Sequence, residues 1–253
     1  MWEELMSNNH NRLYNDLSHL WPIISPPHEY AIEAWYIKEA ITGSLGPGRH
    51  TLLDLGSGGG HVLSHLTQTF SAIAVDISAP MTSLSERLNP GTPHHVGDMR
   101  HIRLNQRFDA VLIHDAINYM LSENDLKLAF ETALEHLRPH GVLVLAPDWF
   151  KEDFSAPTVL NWTKPSPNGE ITFIEYLDDP DTNDTTIESV FFYIVKESGT
   201  LQIHQDRHTT GLFPKCTWLS NLRELGFLAT IVNFPSYEGG FGGNLIVATF
   251  PEN

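Results

Sequence analysis

The fold of this chain is decided by the stretch Thr51-Leu52-Leu53-Asp54-Leu55-Gly56-Ser57-Gly58-Gly59-Gly60-His61-Val62-Leu63. A short apolar strand ends in a turn rich in glycine and continues directly into a helical pattern. Glycine carries no Cβ, so the turn accepts positive φ angles and lets a ligand lie against bare backbone. The helix that follows presents unpaired N–H groups at the same place. The stretch therefore predicts a nucleotide-type site at the carboxyl end of a parallel strand.

The spacing of the glycines separates classes of nucleotide site. The dinucleotide fingerprint Gly-x-Gly-x-x-Gly needs a third glycine where this chain has His61. A phosphate-binding P-loop needs Gly-Lys-Ser/Thr, which does not follow the turn. The spacing reads instead Asp-x-Gly-x-Gly-x-Gly, through Asp54, Gly56, Gly58 and Gly60. It resembles the first motif of class I S-adenosylmethionine (SAM) methyltransferases, with a plain strand–turn–helix junction as the alternative.

Two further strands end in acidic residues. Asp76 closes an apolar strand 22 residues after Asp54, and an acid near this spacing can accept hydrogen bonds from both ribose hydroxyls. A third short strand ends in Gly97-Asp98-Met99. In methyltransferases of this type, such an aspartate accepts from the adenine amino group and the next residue flanks the ring. Together with the glycine turn, these strand ends are expected side by side at one sheet edge, which favours a SAM site.

The rest of the chain alternates strands and helices, and then changes pattern. The parallel part is expected to have strands at 51–56, 71–76, 94–97, 108–114 and 141–146, with helices at 60–69, 79–88 and 122–138. Residues 171–177, 185–197 and 200–210 are rich in β-branched and aromatic residues between turns, which predicts antiparallel strands. A helix at 218–225 and strands at 227–234 and 244–250 complete the pattern.

These elements predict an α/β, Rossmann-like class I methyltransferase fold. Its sheet is expected to be mostly parallel and seven-stranded, with a C-terminal antiparallel hairpin and an antiparallel β insertion that forms a lid. Four segments follow from the pattern: an N-terminal helical cap (1–45), a SAM-binding core (46–150), the insertion or substrate lid (151–210) and the C-terminal part of the core (211–253).

Composition limits the classes of function. The chain has 253 residues, one cysteine and a formal net charge of −16. An acidic surface repels a nucleic-acid backbone, and one cysteine excludes an internal disulfide or a zinc–cysteine cluster. No apolar run approaches the ~20 residues of a membrane span, and the beginning Met1-Trp2-Glu3-Glu4 lacks the form of a signal peptide. We therefore expect a cytoplasmic protein without nucleic-acid or membrane partners.

The middle of the chain resembles a narrower group. Gly97-Asp98-Met99-Arg100, the segment 103–111, the segment 137–150 and Tyr30-Ala31 are similar to bacterial small-molecule N-methyltransferases that dimethylate amino sugars. The likeness covers most of residues 28–230, and the chain departs from it at His61 and at 114–119. The resemblance implies SAM as cofactor, S-adenosylhomocysteine as product and a small-molecule acceptor methylated on N or O. A homodimer is compatible with it.

The strand ends and the resemblance assign the site residues. For the cofactor we expect Tyr14, Tyr30, Asp54, Gly56, Ser57, Gly58, Gly60, Asp76, Ile77, Asp98, Met99 and His114. For catalysis we expect His114 and Asp148, which end the fourth and fifth strands, and His208 in the insertion. Tyr119 and Trp149 are expected to contact the acceptor. The alternatives are packing for His114, Trp149 and Tyr14, turn formation for Asp76 and Asp98, and a place on the strand surface for His208.

Other classes of function stay open from the sequence alone. Asp115 and Asp148 take places comparable to the Mg²⁺ ligands of catechol-type O-methyltransferases, although we expect no metal. A base-flipping nucleic-acid methyltransferase usually carries Asn/Asp-Pro-Pro-Tyr/Phe after its fourth strand, which the segment 114–117 does not match. A SAM-binding regulatory subunit without an acceptor site is the non-enzymatic alternative.

Overall fold

A seven-stranded sheet forms the centre of the structure, a computed structural model that describes residues 10–237 and 242–251. Its strands are β1 (Thr51–Leu55), β2 (Ser71–Asp76), β3 (His94–Val96), β4 (Phe108–Ile113), β5 (Leu137–Leu145), β10 (Leu228–Phe234) and β11 (Gly243–Thr249). Their spatial order is β3-β2-β1-β4-β5-β11-β10. The pairs among β1 to β5 are parallel, and β11 runs antiparallel to β5. The predicted fold class is confirmed, and the strand order reverses beside β1, where open α/β sheets bind ligands.

Helices cover both faces of this sheet because its strands are apolar on both sides. They are α2 (Ala31–Leu45), α3 (His61–Leu66), α4 (Ala79–Leu88), α5 (Glu123–His136) and α6 (Lys215–Glu224), while the short helix α1 (Trp21–Ile24) packs away from this sheet, in the cluster that contains Phe173. Strand β4 shows the alternation, since Val111 and Ile113 share a core with Phe130 of α5. Ala110 and Leu112 point the other way and pack in the core that contains α2.

A second sheet of four antiparallel strands stands apart from the first. It consists of β6 (Thr158–Ser166), β7 (Gly169–Asp178), β8 (Thr186–Glu197) and β9 (Thr200–Gly211), paired in that order. The sequence predicted three of these strands and missed β6. That strand carries Lys164 and Pro165, which a strand tolerates at a sheet edge, where one row of N–H groups needs no partner.

The segment before α2 fills the space beside the antiparallel sheet. Leu13, Leu17 and Ile24 pack with Phe173 and Tyr193 in one buried cluster. This segment is built of short 3₁₀ turns and α1, as its closely spaced prolines and aromatics predict. In the part of the chain that the structure describes, every helix falls short of the length and apolarity needed to traverse a bilayer.

Two glycines of the turn after β1 differ sharply in their surroundings. Gly56 has φ +77°, and an added Cβ would lie 2.3 Å from the Cβ of Ala116. Gly58 has φ +53° and no atom within 4 Å of an added Cβ. We expect Gly56→Ala to lower the free energy of unfolding by about 3 kcal/mol or more, through strain and overpacking, and Gly58→Ala by only ~1 kcal/mol. Urea unfolding checks this, and equal losses would contradict it.

Candidate active site

The glycine turn is held in place by the end of β2. The carboxylate of Asp76 accepts hydrogen bonds from the backbone N–H of Gly58 (2.7 Å) and of Ser78 (2.8 Å). The backbone N–H of Gly56 donates to the carbonyl of Val75 (2.7 Å). Burial raises the pKa of Asp76, and the two backbone hydrogen bonds oppose that rise. Asp76 therefore fixes the shape of the turn and keeps further lone pairs free to accept from a ligand.

A cavity of about 600 Å³, the loop cavity, lies beside this turn. Of the residues predicted to bind the cofactor, all but Gly60 line it. Gly60 lies at the beginning of α3 with φ +76°, and its carbonyl accepts a hydrogen bond from Asn89 (3.0 Å). The structure therefore gives Gly60 a place in the turn itself, whereas Gly59 takes the place at the cavity wall.

The loop cavity carries buried polar atoms that can bind a ligand. Within the described residues, Oδ1 of Asp54 and Oγ of Ser57 are buried and have no hydrogen-bond partner. Burial raises the pKa of Asp54 to about 7. The side chains of Ile77 and Met99 add apolar surface to the same wall. An ammonium-bearing amino acid joined to a nucleoside fits these groups, because it offers donors for the orphaned oxygens and an apolar ring.

Asp98 is already engaged by a cation. Nε of Arg100 lies 3.1 Å from both carboxylate oxygens of Asp98, and Nη2 lies 2.7 Å from Oδ2. The same guanidinium reaches Asp125 at 2.8 Å. Hydrogen bonding from Arg100 lowers the pKa of Asp98. The side chain lines the loop cavity as an ionised group, and its contact with an adenine amino group stays a prediction.

Aromatic side chains from the N-terminal segment cover the loop cavity. Trp21 stacks on His61 with ring centroids 5.7 Å apart, and Tyr30 meets His61 edge-on at 5.6 Å. The hydroxyl of Tyr30 is hydrogen-bonded to that of Ser25 (2.7 Å). Burial lowers the pKa of His61 to about 4, so its ring is neutral. The histidine that breaks the dinucleotide fingerprint therefore serves as a packing surface.

A second cavity of about 700 Å³, the acidic cavity, lies between the edge of the parallel sheet and the antiparallel sheet. Tyr14, Trp21, Asp115 and Tyr119 line both cavities. The predicted residues Asp148, Trp149 and His208 also line it. The two cavities therefore meet at a wall made of two tyrosines, a tryptophan and a carboxylate.

His114 lies between two carboxylates at the end of β4. Its Nε2 is 3.0 Å from Glu33, and its Nδ1 is 3.1 Å from Asp115. Burial opposes a charge on the ring, but the negative charges of Asp115 and Glu33 outweigh it and raise the pKa of His114 to about 10. Burial would raise the pKa of Glu33, yet the charge of His114 lowers it. The structure thus favours an imidazolium that lies close to two anions, and its Nε2 makes no hydrogen bond of good geometry among the described residues.

More carboxyl groups are crowded into the acidic cavity than His114 can balance. Burial raises the pKa of Asp115 to about 6, and burial followed by the charge of Asp115 raises the pKa of Asp148 well above its usual range. Burial and the charge of Asp148 raise the pKa of Glu175 to about 7. A ligand cation in this cavity would lower the pKa of these carboxyl groups, because it favours their ionised form.

His208 belongs to a buried chain of hydrogen bonds. Its Nε2 lies 2.8 Å from the carboxylate of Asp206, and its Nδ1 lies 2.5 Å from the hydroxyl of Tyr119. The hydroxyl of Tyr119 donates to that of Tyr14 (3.0 Å). His208 is 1% exposed, so the alternative of a surface histidine is wrong. The chain fixes both tyrosines at the wall where the cavities meet.

The ion pairs of His114 imply a pH-dependent stability. The pKa of His114 is about 10 in the fold and ordinarily 6.5, so its stabilising charge is fully present below pH 6.5 and is lost as pH rises toward 10. We expect the free energy of unfolding to fall between about pH 7.5 and 10. A His114→Gln variant should lose less over this window. Denaturant unfolding at several pH values checks this, and parallel curves for both proteins would contradict it.

Three residues of the site escaped the sequence analysis. Glu175 stands on β7 in a row whose other inward positions are apolar, such as Phe173 and Leu177. Asp206 precedes His208 by two residues on β9, which puts both on one face of the strand. Glu33 stands on α2 among apolar residues. A charged residue on an apolar face was the available signal in each case.

Comparison with known proteins also indicates a methyltransferase. The chain matches the family model described as "Methyltransferase domain" over residues 53–145. It is 28% identical over 214 residues to dTDP-3-amino-3,6-dideoxy-alpha-D-glucopyranose N,N-dimethyltransferase of Streptomyces fradiae, over 84% of this chain and 81% of that protein. The crystal structure of DesVI from Streptomyces venezuelae superposes with a TM-score of 0.78 at 25% identity, over 88% of this chain and 92% of that one. The chain is a class I SAM-dependent methyltransferase.

Further relatives of this methyltransferase are named as N-methyltransferases too. The dTDP-3-amino-3,4,6-trideoxy-alpha-D-glucopyranose N,N-dimethyltransferase of Streptomyces venezuelae is 35% identical over 129 residues, which cover 50% of this chain and 54% of that protein. A sugar N-methyltransferase from a Streptoalloteichus species shares the fold with a TM-score of 0.79, 24% identity and 88% of each chain. The methyltransferase uses SAM as its cofactor, and the loop cavity fits that molecule.

Proposed function

We propose that this methyltransferase transfers a methyl group from SAM to the nitrogen of a small-molecule amine. One observation carries the proposal: the loop cavity meets, at Tyr14, Tyr119 and Asp115, a second cavity lined with carboxyl groups. Carboxylates enclosed by protein favour a cation, and an ammonium is the protonated form of an amine acceptor. The names of the relatives, which describe amino-sugar N-methylation, support an amine as the acceptor.

The cofactor residues have distinct roles in this proposal. Asp54 and Ser57 hold the amino-acid part, and Asp76 accepts from the ribose hydroxyls. The purine lies against Ile77 and Met99. SAM supplies a methyl group that is already activated on a sulfonium, so the chain needs only to bind, orient and deprotonate the acceptor. Orientation alone contributes up to roughly 7–11 kcal/mol to lowering a barrier of this kind. The remaining contacts are Gly56, Gly58, Tyr30, Asp98 and His114, while Gly60 shapes the turn.

Asp115 and Asp148 handle the acceptor's proton. The ammonium binds beside their carboxyl groups, one carboxylate takes a proton, and the neutral nitrogen then presents its lone pair toward the wall shared by the two cavities. A proton acceptor with a pKa of about 6, as at Asp115, suits this task near neutral pH. His114, with its pKa of about 10, acts as the counter-charge that lets these carboxyl groups ionise.

The aromatic wall positions the acceptor. His208 acts as a positioning residue, because it holds the hydroxyl of Tyr119, which in turn holds that of Tyr14. Trp149 lines the acidic cavity with its ring edge-on to Phe154 at 5.6 Å. Tyr119 and Trp149 therefore contact the acceptor, and the ring of Tyr14 closes the space between acceptor and cofactor.

The test compares amines with alcohols of the same shape. The enzyme is incubated with SAM and a panel of primary amines, which includes amino sugars and arylalkylamines, and with the matched alcohols. We expect S-adenosylhomocysteine to form with amines only. Faster reaction with the alcohols would contradict N-methylation. Binding of SAM without transfer to any member of the panel would favour a regulatory subunit.

The candidate ligands of a metal lead to a separate prediction. Glu33, His114 and Asp115 lie close enough together to share one ion. Both nitrogens of His114, however, face carboxylates at hydrogen-bond distance, and its pKa of about 10 means that an ion would have to displace a proton. We expect transfer activity to be unchanged by EDTA and by added Mg²⁺. Loss of activity in EDTA and its recovery with Mg²⁺ would support the catechol-type alternative.

The remaining expectations concern compartment and assembly. We keep the cytoplasm as the proposed compartment, which the free and exposed Cys216 suits. A net charge of −16 supports partners other than nucleic acid. A homodimer stays a proposal that the molar mass in light scattering tests directly.

A further inference from the structure

The acidic cavity has two chemically different ends. One side, the acidic end, carries Glu33, Asp115 and Asp148, and Glu175 faces Asp148 from the antiparallel sheet. Around Glu175 the antiparallel sheet presents rings and aliphatic chains, of which Leu160 and Phe191 are its cross-strand neighbours; the others are Trp162, Phe173, Leu177 and Ile187. A ligand that fills this cavity therefore has a cationic end and an uncharged body.

A buried amide marks the acidic end as a binding site. Asn118 is 4% exposed and lines the cavity. Its Nδ2 donates to Asp148 (2.7 Å), but its Oδ1 has no hydrogen-bond partner among the described residues. A buried acceptor without a donor costs free energy, so a ligand N–H completes this site. An ammonium supplies that N–H together with the charge that the carboxylates require.

The same cavity offers almost nothing to an anion. Of the described residues that line it, Lys215 is the only lysine or arginine. Its Nζ is paired with Asp153 at 2.7 Å and lies 5.3 Å from the ring of Phe150. The segments outside the described residues, 1–9, 238–241 and 252–253, contain no lysine or arginine.

The cations near the cavity are committed to other partners. Lys164, on the edge strand β6 of the antiparallel sheet, pairs with Glu29 at 2.5 Å. Arg100, at the loop cavity, is held between two carboxylates. Among the described residues that line this cavity, a diphosphate would therefore meet several carboxyl groups and no unpaired lysine or arginine, and like charges repel.

We infer that the acceptor is a phosphate-free organic amine, whose ammonium binds at the acidic end beside Asn118 and whose uncharged body packs on the aromatic wall. The inference rests on the proposed function and narrows its substrate class. It separates this methyltransferase from relatives that are named for dTDP-linked amino sugars. Binding of the ammonium displaces protons from the carboxyl groups around it.

A matched pair of acceptors tests the inference. The enzyme is given 3-amino-3,6-dideoxyglucose as its methyl glycoside and as its dTDP-linked form, with S-adenosylhomocysteine release as the measurement. We expect kcat/KM to be at least about tenfold higher for the methyl glycoside, and we expect dTDP alone not to compete. Preference for the dTDP-linked form, or competition by dTDP, would overturn the inference and leave N-methylation standing. Failure of every amine, at intact affinity for S-adenosylhomocysteine, would overturn both proposals.

Two variants on the same strand separate charge from packing. Glu175→Gln removes a carboxylate of the acidic end, whereas Glu170→Gln removes one that is exposed and paired with Lys196. We expect Glu175→Gln to raise KM for the amine about tenfold and to leave the affinity for SAM unchanged. Glu170→Gln should change neither quantity. Equal KM values for both variants would contradict an ammonium site at the acidic end.

Discussion

Replacement of Asp76 by alanine is expected to weaken SAM binding by about ten- to 150-fold. The carboxylate holds the backbone N–H groups of Gly58 and Ser78, and in our proposal it also accepts the ribose hydroxyls. Each hydrogen bond to a charged acceptor is worth about 1.5–3 kcal/mol, so the loss of one already accounts for that range. Isothermal titration calorimetry with SAM measures the change directly.

Two further variants keep this result interpretable. Asp76→Asn retains the size of the side chain and an oxygen acceptor, so it should fold and bind with an intermediate affinity. Asp181→Ala removes a carboxylate from an exposed turn, where its partner is the neighbouring Asn183, and should bind SAM as the wild type does. Unchanged affinity in a folded Asp76→Ala protein would refute the assignment of the loop cavity.

Replacement of Asp148 by asparagine is expected to lower kcat/KM for the amine by about 10²-fold or more. The variant removes one of two carboxyl groups that receive the acceptor's proton, and general-base catalysis contributes typically ~10²–10⁴-fold. Asp148 lines the acidic cavity and not the loop cavity, so the affinity for SAM should stay the same. Initial rates at saturating SAM provide the measurement.

The pH profile distinguishes proton transfer from a structural effect. The wild-type rate should rise with pH through the pKa of the carboxyl pair, which is about 6 at Asp115. In Asp148→Asn, the pH at which the rate rises should shift toward the pKa of the amine. The reason is that more of the acceptor must then lose its proton in solution before it binds. Glu197→Gln, at an exposed strand end, is the matched control. An identical profile in Asp148→Asn would contradict the proposed role.

The parallel half of the fold was predictable because its signals are local. The turn at 56–60 follows an apolar strand, and Ser122 begins a helix by accepting the N–H of Asp125 (3.1 Å), as its sequence indicates. The observed boundaries differ from the predicted ones where a helix is followed at once by a strand. The helix expected to reach residue 138 ends at His136, and β5 begins at once with Leu137, because that residue pairs with Phe108.

The chemistry of the acceptor site was less predictable, since it depends on tertiary neighbours. The sequence singled out His114 and offered a base as one of its roles. Its charge state depends on Asp115, the next residue, and on Glu33, which lies 81 positions earlier on α2 (114 − 33) and reaches it only in the folded chain. The carboxyl group of Glu175 comes from the antiparallel sheet. No local pattern joins Glu33 and Glu175, so the cavity that they share emerged from the structure alone.

The N-terminal segment that carries Tyr14 is fastened at both sheets. The carboxylate of Asp206 accepts the backbone N–H of Arg12 (2.9 Å) and of Leu13 (2.8 Å), and Ser78 donates to the carbonyl of Tyr14. Because Tyr14 lines both cavities, these few hydrogen bonds fix one wall of the cofactor compartment and of the acceptor compartment at once. The same short segment therefore links the geometry of the methyl donor to that of its acceptor.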